Sequence, residues 1–240
     1  MDIVRTLLTA AGEAALGVCL ALNPLLLPET GLVEPTLGGL PFCASAAAEA
    51  IERVEPIHRG KPRDREMLLR YLREVRFQSA KTGIPAEIVL AIGMQETRWR
   101  PWLRSPSEEF CGMFQQAPRY VLDPPLPPIG NRSRCLSLGY EPEECRQYTR
   151  PCRRVDRCAE KCDYLTDADQ YRSHVAYVFD YLEIIRRRTG SPWEVCRYQG
   201  GPFRPCDEAA LGYQERHERW RERILTAYRN VLREETLWCD

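Results

Sequence analysis

The stretch Ile88-Val89-Leu90-Ala91-Ile92-Gly93-Met94-Gln95-Glu96-Thr97-Arg98-Trp99, IVLAIGMQETRW, decides how this chain is read. It is apolar enough to be buried on every side, and a helix with no polar face belongs in a core. Yet it ends on a glutamate. A carboxylate taken out of water costs several kcal/mol or keeps its proton toward neutral pH. Glu96 therefore has two readings. It sits at the helix rim and reaches solvent or an arginine such as Arg98 or Arg100, or it is a proton donor whose pKa is raised for chemistry.

Working outward, residues 63–82 predict a helix, with Leu68, Leu72 and Val75 on one face and charges between them. Gly83 is a C-terminal stop, and Pro85 suits the first turn of the helix that carries the opening stretch. That helix ends between Thr97 and Trp99, because Pro101 forbids much continuation. Residues 104–120 read as a loop entering a short helix, and the proline-rich 123–131 breaks regular structure. Tyr171, Val175, Val178, Leu182 and Ile185 recur at helical spacing, with Asp167 as cap and Gly190 as stop. Ser191 and Glu194 have capping-box spacing and predict a short helix before a loop at 198–205. A last helix runs from Asp207 or Glu208 to Leu237, with Trp220, Ile224, Tyr228 and Val231 along one stripe. No alternating strand and no repeat stands out, so the fold class is mainly α.

The 240 residues suffice for one good core. Lys and Arg number 34 and so do Asp and Glu, so no global field points to nucleic acid. Of eleven cysteines, nine lie from residue 111 onward: Cys111, Cys135, Cys145, Cys152, Cys158, Cys162, Cys196, Cys206 and Cys239. That density favours disulfides in an oxidising compartment. The alternative, a zinc site from Cys152, Cys158 and Cys162, lacks the paired C-x-x-C spacing of structural sites. The N-terminus reads as an export leader over 1–48. Arg5 precedes an apolar run from Ala14 to Leu22 that is shorter than a membrane span, and Ala44-Ser45-Ala46 and Ala46-Ala47-Ala48 offer cleavage patterns. The chain is then a periplasmic or extracellular protein with its working domain over 49–240.

Three short segments lie next to predicted helix ends: QETRW at 95–99, CGMFQ at 111–115 and RYQGGP at 197–202. Their order and separation resemble the catalytic domain of soluble-type lytic transglycosylases, relatives of goose-type lysozyme, over roughly 66–232. That family places its catalytic glutamate at the end of a buried helix as ES followed by an aromatic, which Glu96-Thr97-Arg98-Trp99 matches. Gly112-Met113-Phe114-Gln115 resembles its GLMQ, and Tyr198-Gln199-Gly200-Gly201-Pro202 its YNAGP. Thr97 stands in place of serine, Phe114 in place of leucine or methionine, and Gln199 in place of asparagine. The GSPWEV approach at 190–195 is also similar.

The resemblance implies a lysozyme-like helical domain that cleaves peptidoglycan glycan strands between N-acetylmuramic acid and N-acetylglucosamine, without metal or cofactor. Glu96 is implied as general acid and then base, closing a 1,6-anhydro ring. Thr97, Gly112, Met113, Gln115, Tyr198 and Gln199 are implied to line the saccharide cleft. Two alternatives stay open. A hydrolytic lysozyme on the same fold needs a second acid or a held water, and Glu108 or Glu109 could supply the acid. A non-catalytic glycan-binding protein fits the altered spellings, although an intact Glu96 argues against it. The cysteine-rich stretch at 131–165 interrupts the family pattern. It is expected beside the cleft, limiting which strands enter or docking a partner protein.

Overall fold

The helix that opens the sequence argument runs through the centre of the molecule. In a computed structural model of the chain, residues 34–56, 62–105, 110–116, 162–163, 165–200 and 205–234 are described, all within a unit spanning Glu34–Asp240. The order is β1 (Thr36–Leu37), β2 (Leu40–Pro41), α1 (Ala44–Val54), α2 (Pro62–Thr82), α3 (Ala86–Thr97), a 3-10 turn (Ala168–Gln170), α4 (Tyr171–Thr189), α5 (Cys196–Gly200) and α6 (Glu208–Glu234). The described chain is mainly helical, as its periodicity predicts. Most of the predicted 131–165 stretch lies outside the described residues, as do Glu108 and Glu109.

Every residue of α3 from Ala86 to Met94 is buried. α6 packs against both α1 and α3, and α2 packs against α1 and α4. Leu68, Tyr71, Leu72 and Val75 of α2 meet a core that includes Val175, Val178, Phe179, Leu182 and Ile185 of α4. Each large aliphatic chain so buried contributes about 1.5–3 kcal/mol before entropy is counted. Gly83 and Gly190 end their helices at φ +68 and φ +80, donating to Ser79 O and Arg186 O at 2.8 Å each. Asp167 accepts from the Asp169 amide at 3.0 Å and starts the 3-10 turn that leads into α4.

Several expectations are corrected. Pro85 is the cap before α3 rather than part of its first turn. Residues 110–116 form a tight turn, not a helix: Cys111 and Gln116 exchange both backbone hydrogen bonds at 2.9 Å. Ser191 Oγ accepts from the Trp193 amide at 3.2 Å instead of closing a capping box, and α5 starts only at Cys196. Tyr198 and Gln199 are therefore helical. There is also a small antiparallel hairpin, with Thr36 opposite Pro41 and Leu37 opposite Leu40. Gly38 and Gly39 turn it at φ +61 and φ +81, the twin positive φ that a two-residue hairpin needs.

The hairpin and α1 fall where an export leader is expected. Ala44, Ala46, Ala47, Ala48, Ala50 and Ile51 are buried in the core, and the short alanine side chains let α1 lie close to α6. Tyr228 of α6 locks the junction: its hydroxyl donates to Pro41 O at 2.6 Å and accepts from the Cys43 amide at 2.8 Å. The compact unit spans Glu34–Asp240 and so includes the hairpin and α1. Cleavage after Ala46 or Ala48 would cut through a buried helix.

Candidate active site

Glu96 is the penultimate residue of α3, and the turn after it fixes its direction. Arg98 and Trp99 both take left-handed backbone, at φ 53 and φ 60, so the chain reverses sharply. The Trp99 amide reaches back to Gly93 O at 3.1 Å. Its indole then lies across Gly93, where an added Cβ would stand 2.8 Å from Trp99 Cε2. This is why a glycine interrupts an otherwise good helix: only a hydrogen leaves room for the ring. The fully buried Trp99 meets Phe114 edge-on, with centroids 5.9 Å apart at 78°.

The two downstream segments close on this helix end. Thr97 Oγ1 donates to Met113 O at 2.7 Å and accepts from the Arg100 amide at 3.2 Å. Tyr198 on α5 donates to Phe114 O at 2.9 Å. The Tyr198 ring stacks on Tyr213 of α6, with centroids 6.5 Å apart at 21°, and meets Tyr181 of α4 edge-on at 5.4 Å. Tyr213 completes the circuit by donating to Glu96 Oε1 at 2.5 Å. Segments about a hundred residues apart in the chain thus share one hydrogen-bonded site, whose carboxylate is Glu96.

Burial pushes the Glu96 carboxyl up to about 7, while the Tyr213 hydrogen bond and the Arg216 charge pull it back. Burial, and then the Glu96 charge, raise both phenols well above their usual range, so Tyr213 and Tyr198 stay protonated at neutral pH. His217 contrasts with Glu96. It is buried, its Nε2 donates to Ile88 O at 3.0 Å, and burial lowers its pKa to about 4. His174 is also buried, with Nδ1 2.7 Å from the Tyr71 hydroxyl. Both histidines are core groups.

The expected cleft residues divide into two groups. Thr97 and Met113 are each 1% exposed, and Gly112 is buried beneath Leu165. A Cβ on Gly112, at φ +76, would come within 2.1 Å of Leu165 O. These three hold the site together, and their burial makes them braces of its wall. Gln115 and Tyr198 are half-buried and Gln199 is exposed. Gln115 Nε2 donates to Gly112 O at 3.1 Å and Leu103 O at 3.3 Å, so it also braces the turn. The residue that sequence reading missed is Tyr213. Its signal was present as an extension of the α6 stripe, one turn before His217.

No family model, curated protein or solved structure matches the chain. The chemistry of the site has to be read from its own groups.

Disulfides hold two walls of the site. Cys111–Cys162 ties the 111–116 turn to the segment carrying Leu165, beside the ion pair of Arg104 with Asp163. Cys162 is thereby removed from any zinc set, while Cys152 and Cys158 lie outside the described residues. Cys196–Cys206 joins α5 to the residues before α6. Disulfides fit an oxidising, extracytoplasmic setting. Among the described residues no helix is long and apolar enough to cross a membrane. Closing a loop with sequence separation 10 stabilises by about 2–3 kcal/mol in the chain-entropy view. Replacing Cys196 and Cys206 together with alanine is expected to lower stability by that amount in a denaturant melt. An unchanged midpoint would mean that the other contacts fix α5 without the bridge: Gln214 with Cys196 N at 3.1 Å and Trp193 O at 2.9 Å, and Tyr198 with Phe114 O.

Proposed function

We propose that this protein is a peptidoglycan lytic transglycosylase acting between N-acetylmuramic acid and N-acetylglucosamine, with Glu96 as its one acid and base. The observation that carries the reading is the setting of Glu96: a half-buried carboxyl at the end of an apolar helix, held up near 7 and hydrogen-bonded to a phenol. An ordinary glutamate is ionised at neutral pH and cannot protonate a leaving oxygen. One poised near 7 can give up a proton and take one back within a single turnover.

The steps balance with this one group. Glu96 protonates the glycosidic oxygen as the bond to C1 breaks. The resulting carboxylate, stabilised by the Tyr213 hydroxyl, removes the proton from the muramyl C6 hydroxyl as O6 bonds to C1. Glu96 ends protonated and no water is consumed. The intramolecular attack gains from proximity. Among the described residues, the groups acting on Glu96 are the Tyr213 phenol and the Arg216 guanidinium. The lysozyme-like character of the fold belongs to the same proposal. It is supported by the way QETRW, GMFQ and Tyr198 converge.

The direct test is release of soluble fragments from purified peptidoglycan by the oxidised protein; no release at any pH between about 5 and 8 would end the reading. Tyr213→Phe tests the poise of Glu96. The Tyr213 hydrogen bond favours the charged carboxylate, so its loss raises the Glu96 pKa further. The alkaline limb of kcat/KM, near pH 7 in the wild type, should move to higher pH, and kcat should fall about tenfold as the carboxylate loses its donor. A limb that stays in place would show that Tyr213 does not act on Glu96 during catalysis.

A further inference from the structure

Two consecutive residues of α3 grip the same residue of α6. The Glu96 carboxyl accepts from the Tyr213 hydroxyl at 2.5 Å, and Gln95 Nε2 donates to the Tyr213 backbone carbonyl at 3.2 Å. Neighbours on a helix point about 100° apart, so the two side chains take Tyr213 at its two ends, phenol and main chain. One turn further along α6, His217 returns the tie to α3 through Nε2 and Ile88 O at 3.0 Å. The other end of the Gln95 amide is unusual: Oε1 is buried and has no hydrogen-bond partner. An unpaired buried acceptor costs about 1–3 kcal/mol. The carbonyl that Gln95 reaches lies inside a helix, where it also accepts from the amide four residues on. Stability alone is therefore a poor reason for a glutamine here.

We propose that Gln95 is a positioning residue, which fixes the main chain of Tyr213 so that the phenol hydroxyl lands on the Glu96 carboxyl. The inference rests on the reading of Glu96 as acid and base, and adds the residue that keeps its hydrogen-bond donor in place. A tyrosine has two rotatable bonds and then a rigid ring, so where its hydroxyl lands follows from where its backbone sits. A misplacement of about 1 Å at a reacting group costs up to about a hundredfold in rate. The other titratable or charged groups acting on or beside Glu96 are Arg216 of α6 and Tyr198 of α5, the latter stacked on Tyr213. Gln95 is uncharged. Its replacement by methionine leaves those groups as they are and reaches Glu96 through Tyr213.

The test titrates the Glu96 carboxyl by carbon-13 NMR in the full oxidised protein, beside kcat on purified peptidoglycan and the melting temperature. Gln95→Met keeps the length of the side chain and removes both the donor and the unpaired acceptor. It is expected to melt at or above the wild-type temperature, because no paired group is left orphaned. Glu96 should nevertheless titrate at higher pH, in the same direction as in Tyr213→Phe, and kcat should fall about three- to tenfold. Added to Tyr213→Phe, Gln95→Met should change neither the titration nor kcat, since the hydroxyl it places is already gone. An unmoved Glu96 titration in Gln95→Met, or the same further shift in both backgrounds, overturns the positioning role. A strongly lowered melting temperature assigns Gln95 to stability and overturns it as well. Wild-type protein that cleaves no peptidoglycan ends the glycan-cleaving reading instead, and the titration then still decides what Gln95 does to Tyr213 and Glu96.

Discussion

Glu96→Gln is expected to abolish cleavage of peptidoglycan, with kcat falling about a hundredfold or more, while the melting temperature stays close to that of the wild type. Glutamine keeps the shape and can still accept from Tyr213 through its carbonyl oxygen, but it has no proton to give. The size follows from the role. A general acid contributes a few kcal/mol to the barrier, and each 1.4 kcal/mol is about tenfold. The fold should tolerate the change, because it removes a carboxyl whose ionised form the site already disfavours. Aspartate at the same position is a sharper control. It keeps the proton but withdraws it by one methylene from Tyr213, so activity should drop strongly there as well. Wild-type turnover in Glu96→Gln would sink the assignment of the acid.

Gly112→Ala is expected to be the most damaging small substitution in the site, costing about 2–4 kcal/mol and lowering the melting temperature by about 5–12 °C for a chain of this size. Two effects add. The residue holds φ +76, which an L side chain rarely adopts, and the new methyl would stand 2.1 Å from the Leu165 carbonyl oxygen. That atom is backbone tied close to the Cys111–Cys162 bridge, so it cannot step aside cheaply. Gly39→Ala separates the two effects. Gly39 has φ +81, but a Cβ added there would meet nothing within 4 Å, so it should show the backbone cost alone, about 1 kcal/mol. Equal shifts for the two variants would mean that the close approach of Leu165 does not constrain the turn.

The helices that position the site were legible because their ends are punctuated. Gly83, Gly190 and the cap at Asp167 mark boundaries that the backbone adopts. The buried character of α3 followed from the absence of any polar face between Ile88 and Met94. Residues with two uses misled the reading. The alanines at 44–50 suit a cleavage site, and they also suit a helix that must approach α6 closely; only tertiary packing decides between them. Ser191 and Glu194 have the spacing of a capping box, but Ser191 spends its hydroxyl on the Trp193 amide. Tyr213 was hidden because an aromatic on a helical stripe reads as core, which it also is. Its hydroxyl meets Glu96 only because α6 crosses α3, and that crossing joins residues 117 apart in the chain. Thr97 and Met113 were legible as members of the site but not as its braces, since burial to 1% is set by neighbours far along the chain.

The measurement that bears most directly on the account is the mass of the products released from purified peptidoglycan. If Glu96 works alone and takes its proton back from the C6 hydroxyl, every new muramyl end carries a 1,6-anhydro ring and each fragment is one water lighter than its hydrolytic counterpart. Wild-type protein is predicted to give those anhydro ends as the dominant product, and Glu96→Gln to give none. Reducing muramyl ends as the dominant product would contradict the account and assign the protein to hydrolysis with a held water.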